Sequence, residues 1–202
     1  MEQLSMSENI VEKCLREAIE VKSAIITDKK LLRQVTMLAE TCVKSLRGGG
    51  KIIFCGNGGS FADAQHLSAE LTSRFLFDRP GLASIALATN NSSLTAIGND
   101  YGYENVFARE IESIANEVDI LIAITTSGKS ENILKALDAA KNKGIHAFVF
   151  MGRGPGKLPN YCEVLNMPSE HTPRIQECHI LIGHILCQII EDKIFGGNNN
   201  EC

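Results

Sequence analysis

From Lys51 onward, short apolar runs alternate with segments of helical periodicity, and that rhythm constrains the fold more than any other feature of the chain. Lys51 to Cys55 reads as a buried strand, followed by a glycine turn and a helix from Ser60 to Phe75. Ala83 to Leu87 is a second strand. A turn rich in Ser, Thr and Asn then leads to a short helix near Leu94 and another over Glu104 to Ala115. Asp119 to Ile124 is the clearest strand, and a helix from Glu131 to Lys143 follows it. Ile145 to Phe150 and Cys162 to Asn166 complete a set of five. Near-continuous apolar strands separated by helices specify a parallel sheet covered on both faces.

Both ends of the chain are helical. Ser7 is the expected N-cap of a first helix carrying Ile10, Val11, Cys14, Leu15, Ala18 and Ile19. Asp28 caps a second, which Gly48-Gly49-Gly50 stops. This pair has no βαβ role and is expected to pack on the sheet or on another subunit. Pro173 opens a last helix running to Phe195, apolar around nearly its whole circumference. Such a helix must be buried on all sides, which in so small a chain points to a subunit interface. Gly196 to Cys202 reads as a polar, frayed and flexible tail. The chain is thus expected to be one unit over 1–202, with helices over 1–47, an α/β core over 51–195 and the tail over 196–202.

Composition narrows the partners. Twenty Lys+Arg stand against 24 Asp+Glu in 202 residues, a net charge of −4, which argues against a nucleic-acid partner. No apolar run approaches the roughly 18 residues needed to span a bilayer, and Met1 to Asn9 is polar with no apolar segment of a secretory signal behind it. Seven cysteines, an odd number with no C-x-x-C pair, read as reduced thiols of a cytoplasmic protein.

Four motifs carry chemistry. Gly56-Asn57-Gly58-Gly59-Ser60 lies between a strand and a helix, where glycines permit a sharp turn and close approach of a ligand to backbone N–H groups. A simple strand-to-helix turn is the alternative. Thr125-Thr126-Ser127-Gly128-Lys129-Ser130 places four hydroxyls at the carboxyl end of a parallel strand, where ligands bind in open α/β sheets. One hydroxyl suffices to cap a helix, so four favour a phosphate. His66 and Glu70, at i and i+4, share a helix face suited to acid/base work, to a metal or to a plain surface contact. In the last helix, Gln176 and His184 are eight residues apart, about 80° around the axis, and can face one cleft. His179 lies on the other side of Gln176. Polar side chains in so apolar a helix need partners. Asn99-Asp100-Tyr101-Gly102 reads by itself as a polar turn.

Taken in order, Gly56-Asn57-Gly58-Gly59-Ser60, Asp63-Ala64-Gln65-His66, Glu70-Leu71, Ala96-Ile97-Gly98-Asn99-Asp100, Thr126-Ser127-Gly128-Lys129-Ser130 and Arg174-Ile175-Gln176-Glu177 resemble the sedoheptulose-7-phosphate isomerases. These are also called phosphoheptose isomerases and have the SIS (sugar isomerase) fold. The resemblance runs from residue 7 to 193. It implies an α/β fold: a doubly wound, mostly parallel five-stranded sheet flanked by helices, assembled as a homotetramer with active sites between subunits. It implies conversion of sedoheptulose 7-phosphate to D-glycero-D-manno-heptose 7-phosphate through an enediol, the first step of bacterial heptose synthesis for lipopolysaccharide or capsule. Glu70 and His184 would be the acid/base pair, and Thr125, Ser127 and Ser130 would hold the phosphate. Asn57, Gly58, Gly59, Ser60, Glu70, Asn99, Asp100, Thr126 and Gln176 would contact substrate. One zinc per subunit would be held by His66, Glu70, Gln176 and His184, as in some members.

Three positions depart from the family pattern: Asn90 stands where an acid is usual, Pro173 where Asp or Ala is frequent, and Lys129 where Asn is frequent. Proline suits a helix's first turn and a cation is compatible with phosphate. The rivals are a non-catalytic SIS-fold binding protein of the kind that associates with the replication initiator, which lacks the glutamate, and an isomerase of another phosphosugar. The presence of both Glu70 and His184 favours the enzyme.

Overall fold

The computed structural model describes residues 5–196. The expected tail from residue 197, including Cys202, lies outside the described residues. Helices α1 (Met6–Thr27) and α2 (Lys29–Arg47) lead into β1 (Ile52–Gly56), α3 (Gly59–Thr72), β2 (Ser84–Ala86) and α4 (Asn91–Tyr101). A single 3₁₀ turn, Tyr103–Asn105, precedes α5 (Val106–Ile114), β3 (Ile120–Ile124), α6 (Glu131–Asn142), β4 (His146–Gly152), β5 (Glu163–Met167) and α7 (Thr172–Phe195).

Local signals set most boundaries, with corrections. The N-cap of α1 is Ser5, not Ser7. Its side chain accepts from the Glu8 N–H while the Glu8 carboxylate accepts from the Ser5 N–H, satisfying two end donors reciprocally. Asp28 caps α2 as expected, accepting from Lys30 and Leu31 N–H. Asn99 to Tyr101 is the last helical turn of α4, not a free turn; Gly102 ends it at φ +87°. Helix α3 stops at Thr72, short of Phe75. Residues 73–83 form a loop instead, held by interactions no periodicity records.

All five strands are parallel, in the order β2-β1-β3-β4-β5. Side chains alternate between two cores. Ile52, Phe54, Ile122, Ile124, Phe148 and Phe150 face α2, α3 and α7. Ile53, Cys55, Leu121, Ala123, Val149 and Met151 face α5 and α6. The sheet is therefore doubly wound. Each fully buried Phe contributes about 1.5–3 kcal/mol of burial.

Helix α7 is covered largely within the chain: Ile175, Cys178, Ile182, Leu186 and Ile190 are buried, and Ile185 is the more exposed position. An uncovered apolar stripe lies on α1, where Val11 (59%), Leu15 (59%) and Ile19 (63%) stand exposed. Cys14, Cys42, Cys55, Cys162, Cys178 and Cys187 are all free thiols.

Candidate active site

The chain runs from β1 outward to β2, then returns to β3 on the other side of β1. The crevice beyond the carboxyl ends of β1 and β3 is the position where strand order reverses, and ligands bind there in open α/β sheets. Both loops singled out in the sequence end at this crevice.

On the β1 side, Gly58 takes φ +57° as the N-cap of α3. The Ser60 N–H donates to the Asn57 carbonyl at 3.0 Å, and Ser60 is buried. The Asn57 amide exchanges two hydrogen bonds with Asn132 of α6, at 2.9 and 2.8 Å, and accepts from the Tyr103 hydroxyl at 3.1 Å. Asn132 is itself buried. Its partnership with Asn57 ties the two loops together, and neither it nor Tyr103 was marked by any motif. Gly59 meets the side chain of Gln176 from α7 so closely that a Cβ would collide with the amide.

On the β3 side, the buried Thr125 accepts from the Gly128 N–H at 3.2 Å, which shapes the turn. The Ser127 hydroxyl accepts from the Lys129 N–H at 3.3 Å. Ser130 occupies the N-cap position of α6, yet its side chain makes no capping bond. Capping therefore does not account for this hydroxyl. Thr126 and Ser127 open onto a cleft of about 250 Å³, also lined by Lys129, Arg153, Glu170 and Thr172. Lys129 and Arg153 give the cleft two cations against one carboxylate.

Helices α3 and α7 bring the third group together. His66 Nε2 lies 3.2 Å from Glu70 Oε1 and 2.9 Å from His184 Nε2, and the Phe75 ring stacks on the His184 ring at 5.6 Å. The ligand atoms of all three lie within 4.8 Å of one another. Around a tetrahedral zinc at about 2.1 Å, donor atoms stand about 3.4 Å apart. The two measured spacings are within half an ångström of that edge. Two histidines and a carboxylate are also a donor set used by catalytic zinc, so these residues fit the metal.

The structure does not gather every expected residue. Asn99 and Asp100 are exposed on α4, where Asn99 donates to Asp100 at 2.7 Å, and among the described residues no hydrogen bond links them to either loop. His179 is fully buried away from the cluster, its ring 5.9 Å from Phe150. Neither of its ring nitrogens makes a well-formed hydrogen bond. Burial pushes the imidazole down to about 4, a nearby Met151 backbone group offsetting only part of that effect. Asn90 is the N-cap of α4, accepting from the Ser92 and Ser93 N–H groups. An aspartate would do the same work, so the departure from an acid here has a local structural account. Pro173 sits in the first turn of α7, as its fixed φ favours.

A doubly wound parallel sheet with paired loops at the strand-order reversal is the architecture of the SIS domain, and residues 15–152 match the family model described as "SIS domain". A phosphoheptose isomerase of Burkholderia pseudomallei is 49% identical over 183 residues, covering 90% of this chain and 93% of that protein. One from Aneurinibacillus thermoaerophilus is 50% identical over 182 residues, covering 90% and 92%. Among solved structures, a phosphoheptose isomerase from Francisella tularensis superposes with a TM-score of 0.87 at 34% identity, covering 93% of this chain and 100% of that one. One from Neisseria gonorrhoeae gives 0.84 at 38% identity, with the same coverage. The chain belongs to the phosphoheptose isomerases.

Proposed function

We propose that the protein interconverts sedoheptulose 7-phosphate and D-glycero-D-manno-heptose 7-phosphate, supplying the heptose of a bacterial surface polysaccharide. The observation that carries this is the approach of Glu70 and His184, from different helices, to within 4.8 Å of one another, in a chain that also carries a hydroxyl-lined loop at the strand-order reversal. Isomerisation moves one proton from C1 to C2 of the sugar and another from the C1 hydroxyl to the C2 oxygen. Glu70 and His184 divide these two transfers. Thr125, Ser127 and Ser130, with the N-terminal amides of α6, hold the phosphate. Asn57, Gly58, Gly59, Ser60, Thr126 and Gln176 line the sugar, and Asn99 and Asp100 of α4 complete its polar contacts.

His66, Glu70 and His184, with Gln176 from the same helix as His184, would hold a zinc ion. When bound, zinc would polarise the carbonyl and stabilise negative charge on the enediolate. Glu70 and His184 cannot offer the same lone pair to metal and proton at once, so the ligand set and the acid/base pair compete for two residues.

The finer partners follow. The exposed Val11-Leu15-Ile19 stripe of α1 supports a homotetramer in which a second copy of the chain covers it, with active sites between subunits. The six cysteines among the described residues are all free thiols, which supports a reducing, cytoplasmic setting. Among the described residues no helix is long and apolar enough to cross a membrane. The unit is a single SIS domain spanning the helical pair and the α/β core.

The test is an NMR assay of purified protein with sedoheptulose 7-phosphate, with and without added zinc. Appearance of the heptose aldose signal supports the assignment. A folded protein that turns over arabinose or fructose phosphates but not this substrate, or none of them, overturns it.

A further inference from the structure

Glu70 and His184 sit on α3 and α7, which pack on one another where Leu67 fills the space over Gly183. Helix α3 ends at Thr72, two residues past Glu70, leaving its last carbonyls without intrahelical donors. Arg79, from the loop that follows, turns back under them. Its Nη2 donates to the Glu70 carbonyl at 2.8 Å, and its Nη1 donates to the carbonyls of Leu71 at 2.6 Å and Ser73 at 3.0 Å. Its Nε donates to Glu191 Oε1 at 2.8 Å. The planar guanidinium suits this task, since it presents several donors in one rigid fork.

Glu191 lies on α7, two turns beyond His184. Its two oxygens accept from the Phe75 N–H at 2.9 Å and the Leu76 N–H at 2.8 Å. Phe75 in turn stacks on His184. The Arg79 and Glu191 side chains are 2% and 0% exposed, so neither is available to a ligand. Burial raises the Glu191 carboxyl, but the two backbone donors and Arg79 more than offset this and hold it below the ordinary carboxylate range. A buried ion pair is weak as a source of net stability compared with apolar packing of the same volume. Its connectivity offers another role. A closed circuit runs from the end of α3 through Arg79 and Glu191 to α7, and back through Phe75 to His184.

We infer that the Arg79–Glu191 pair is a positioning device for the site, fixing the end of α3 that carries Glu70 and seating Phe75 against His184. This rests on the isomerase reading of that site, and one of its two tests is independent of substrate. Arg79→Lys keeps the charge opposite Glu191 but loses the fork that reaches the α3 carbonyls. In the metal-free protein, the imidazole proton resonances of His184 carry the ring current of Phe75 and are expected to move in Arg79→Lys. With sedoheptulose 7-phosphate, kcat is expected to fall at least tenfold while KM changes less than twofold, because the phosphate loop is untouched. A folded Arg79→Lys protein with unmoved His184 resonances and wild-type kcat overturns the inference. Should that variant not fold, Phe75→Leu keeps the bulk and removes the stacked ring. A wild-type kcat in Phe75→Leu would equally overturn it, and a selective loss of kcat would support it. Inactive wild-type protein would instead count against the substrate assignment, with the resonance shift still deciding the positioning role.

Discussion

His66 and His184 approach to 2.9 Å through their Nε2 atoms although 118 residues separate them, and Glu70 stands 3.2 Å from the first of the pair. Without a metal, one imidazole must donate to the other. With a metal, both lone pairs can converge on it. Under the proposed zinc site, His66 is expected to serve as a ligand and His184 to handle protons as well.

Glu70→Gln and His184→Gln are each expected to lower kcat by about 10²–10⁴-fold, the usual worth of a positioned acid or base. His66→Gln is expected to weaken zinc binding, read by chelator competition, and to lose activity that excess zinc restores. Wild-type turnover in Glu70→Gln or His184→Gln would remove those residues from the chemistry.

Ser127→Ala and Ser130→Ala each remove one hydroxyl from the anion loop. A hydrogen bond to a charged group contributes about 1.5–3 kcal/mol, so KM is expected to rise by about 10- to 150-fold with kcat little changed. Initial-rate kinetics over a range of substrate concentration separates the two effects. An unchanged KM in both variants would remove these hydroxyls from phosphate binding and leave Lys129 and Arg153 of the same cleft as the next groups to test.

Stability should fall on mild acidification, and His179 gives the sign. Its ordinary value is 6.5 and its folded value about 4, so the folded state favours the neutral ring. That contribution is complete above 6.5 and is lost as pH drops from there towards 4. A gap of about 2.5 units corresponds to about 3 kcal/mol in full. Glu191, held below its ordinary range, adds a loss of the same sign at lower pH. Denaturant titrations at pH 7 and pH 5 should differ by about 2 kcal/mol, and His179→Leu should shrink that difference. A pH-independent midpoint in the native protein would contradict the burial account.

Leu15→Asp places a charge in the exposed stripe of α1. Light scattering is expected to show a smaller assembly than wild type, with far-ultraviolet circular dichroism unchanged. If the mass does not change, the stripe is not where copies meet.

What could be read from the sequence follows the range of the interactions involved. The five strands and the Asp28 and Gly48 boundaries were legible because each depends on neighbours a few residues away. His66 with Glu70 was legible for the same reason, as an i,i+4 pair. The Thr125 to Ser130 loop stood out by composition alone. Tyr103, Asn132 and Arg79 were not legible, because their partners are 46, 75 and 112 residues distant and no local pattern announces them. Glu191 leaves a trace in the sequence, since a carboxylate beside Ile190 on the buried face of an apolar helix needs a partner. The end of α3 at Thr72 is hidden for a related reason, since the loop after it is held by the Arg79 bonds rather than by helical propensity. Gln176 was legible as a polar residue in an apolar helix. Its pairing in space with Gly59 was not, because a missing Cβ is visible only against what fills its place.

That closeness has a consequence for how the protein can vary. Gly59 and the end of the Gln176 side chain share one space, so a side chain at 59 would have to displace that amide. The amide is the far end of a flexible side chain and can swing aside, so a substitution at 59 disturbs the placement of a polar group in the cleft more than it disturbs the fold. The constraint on this glycine is thus set by a neighbour 117 positions away.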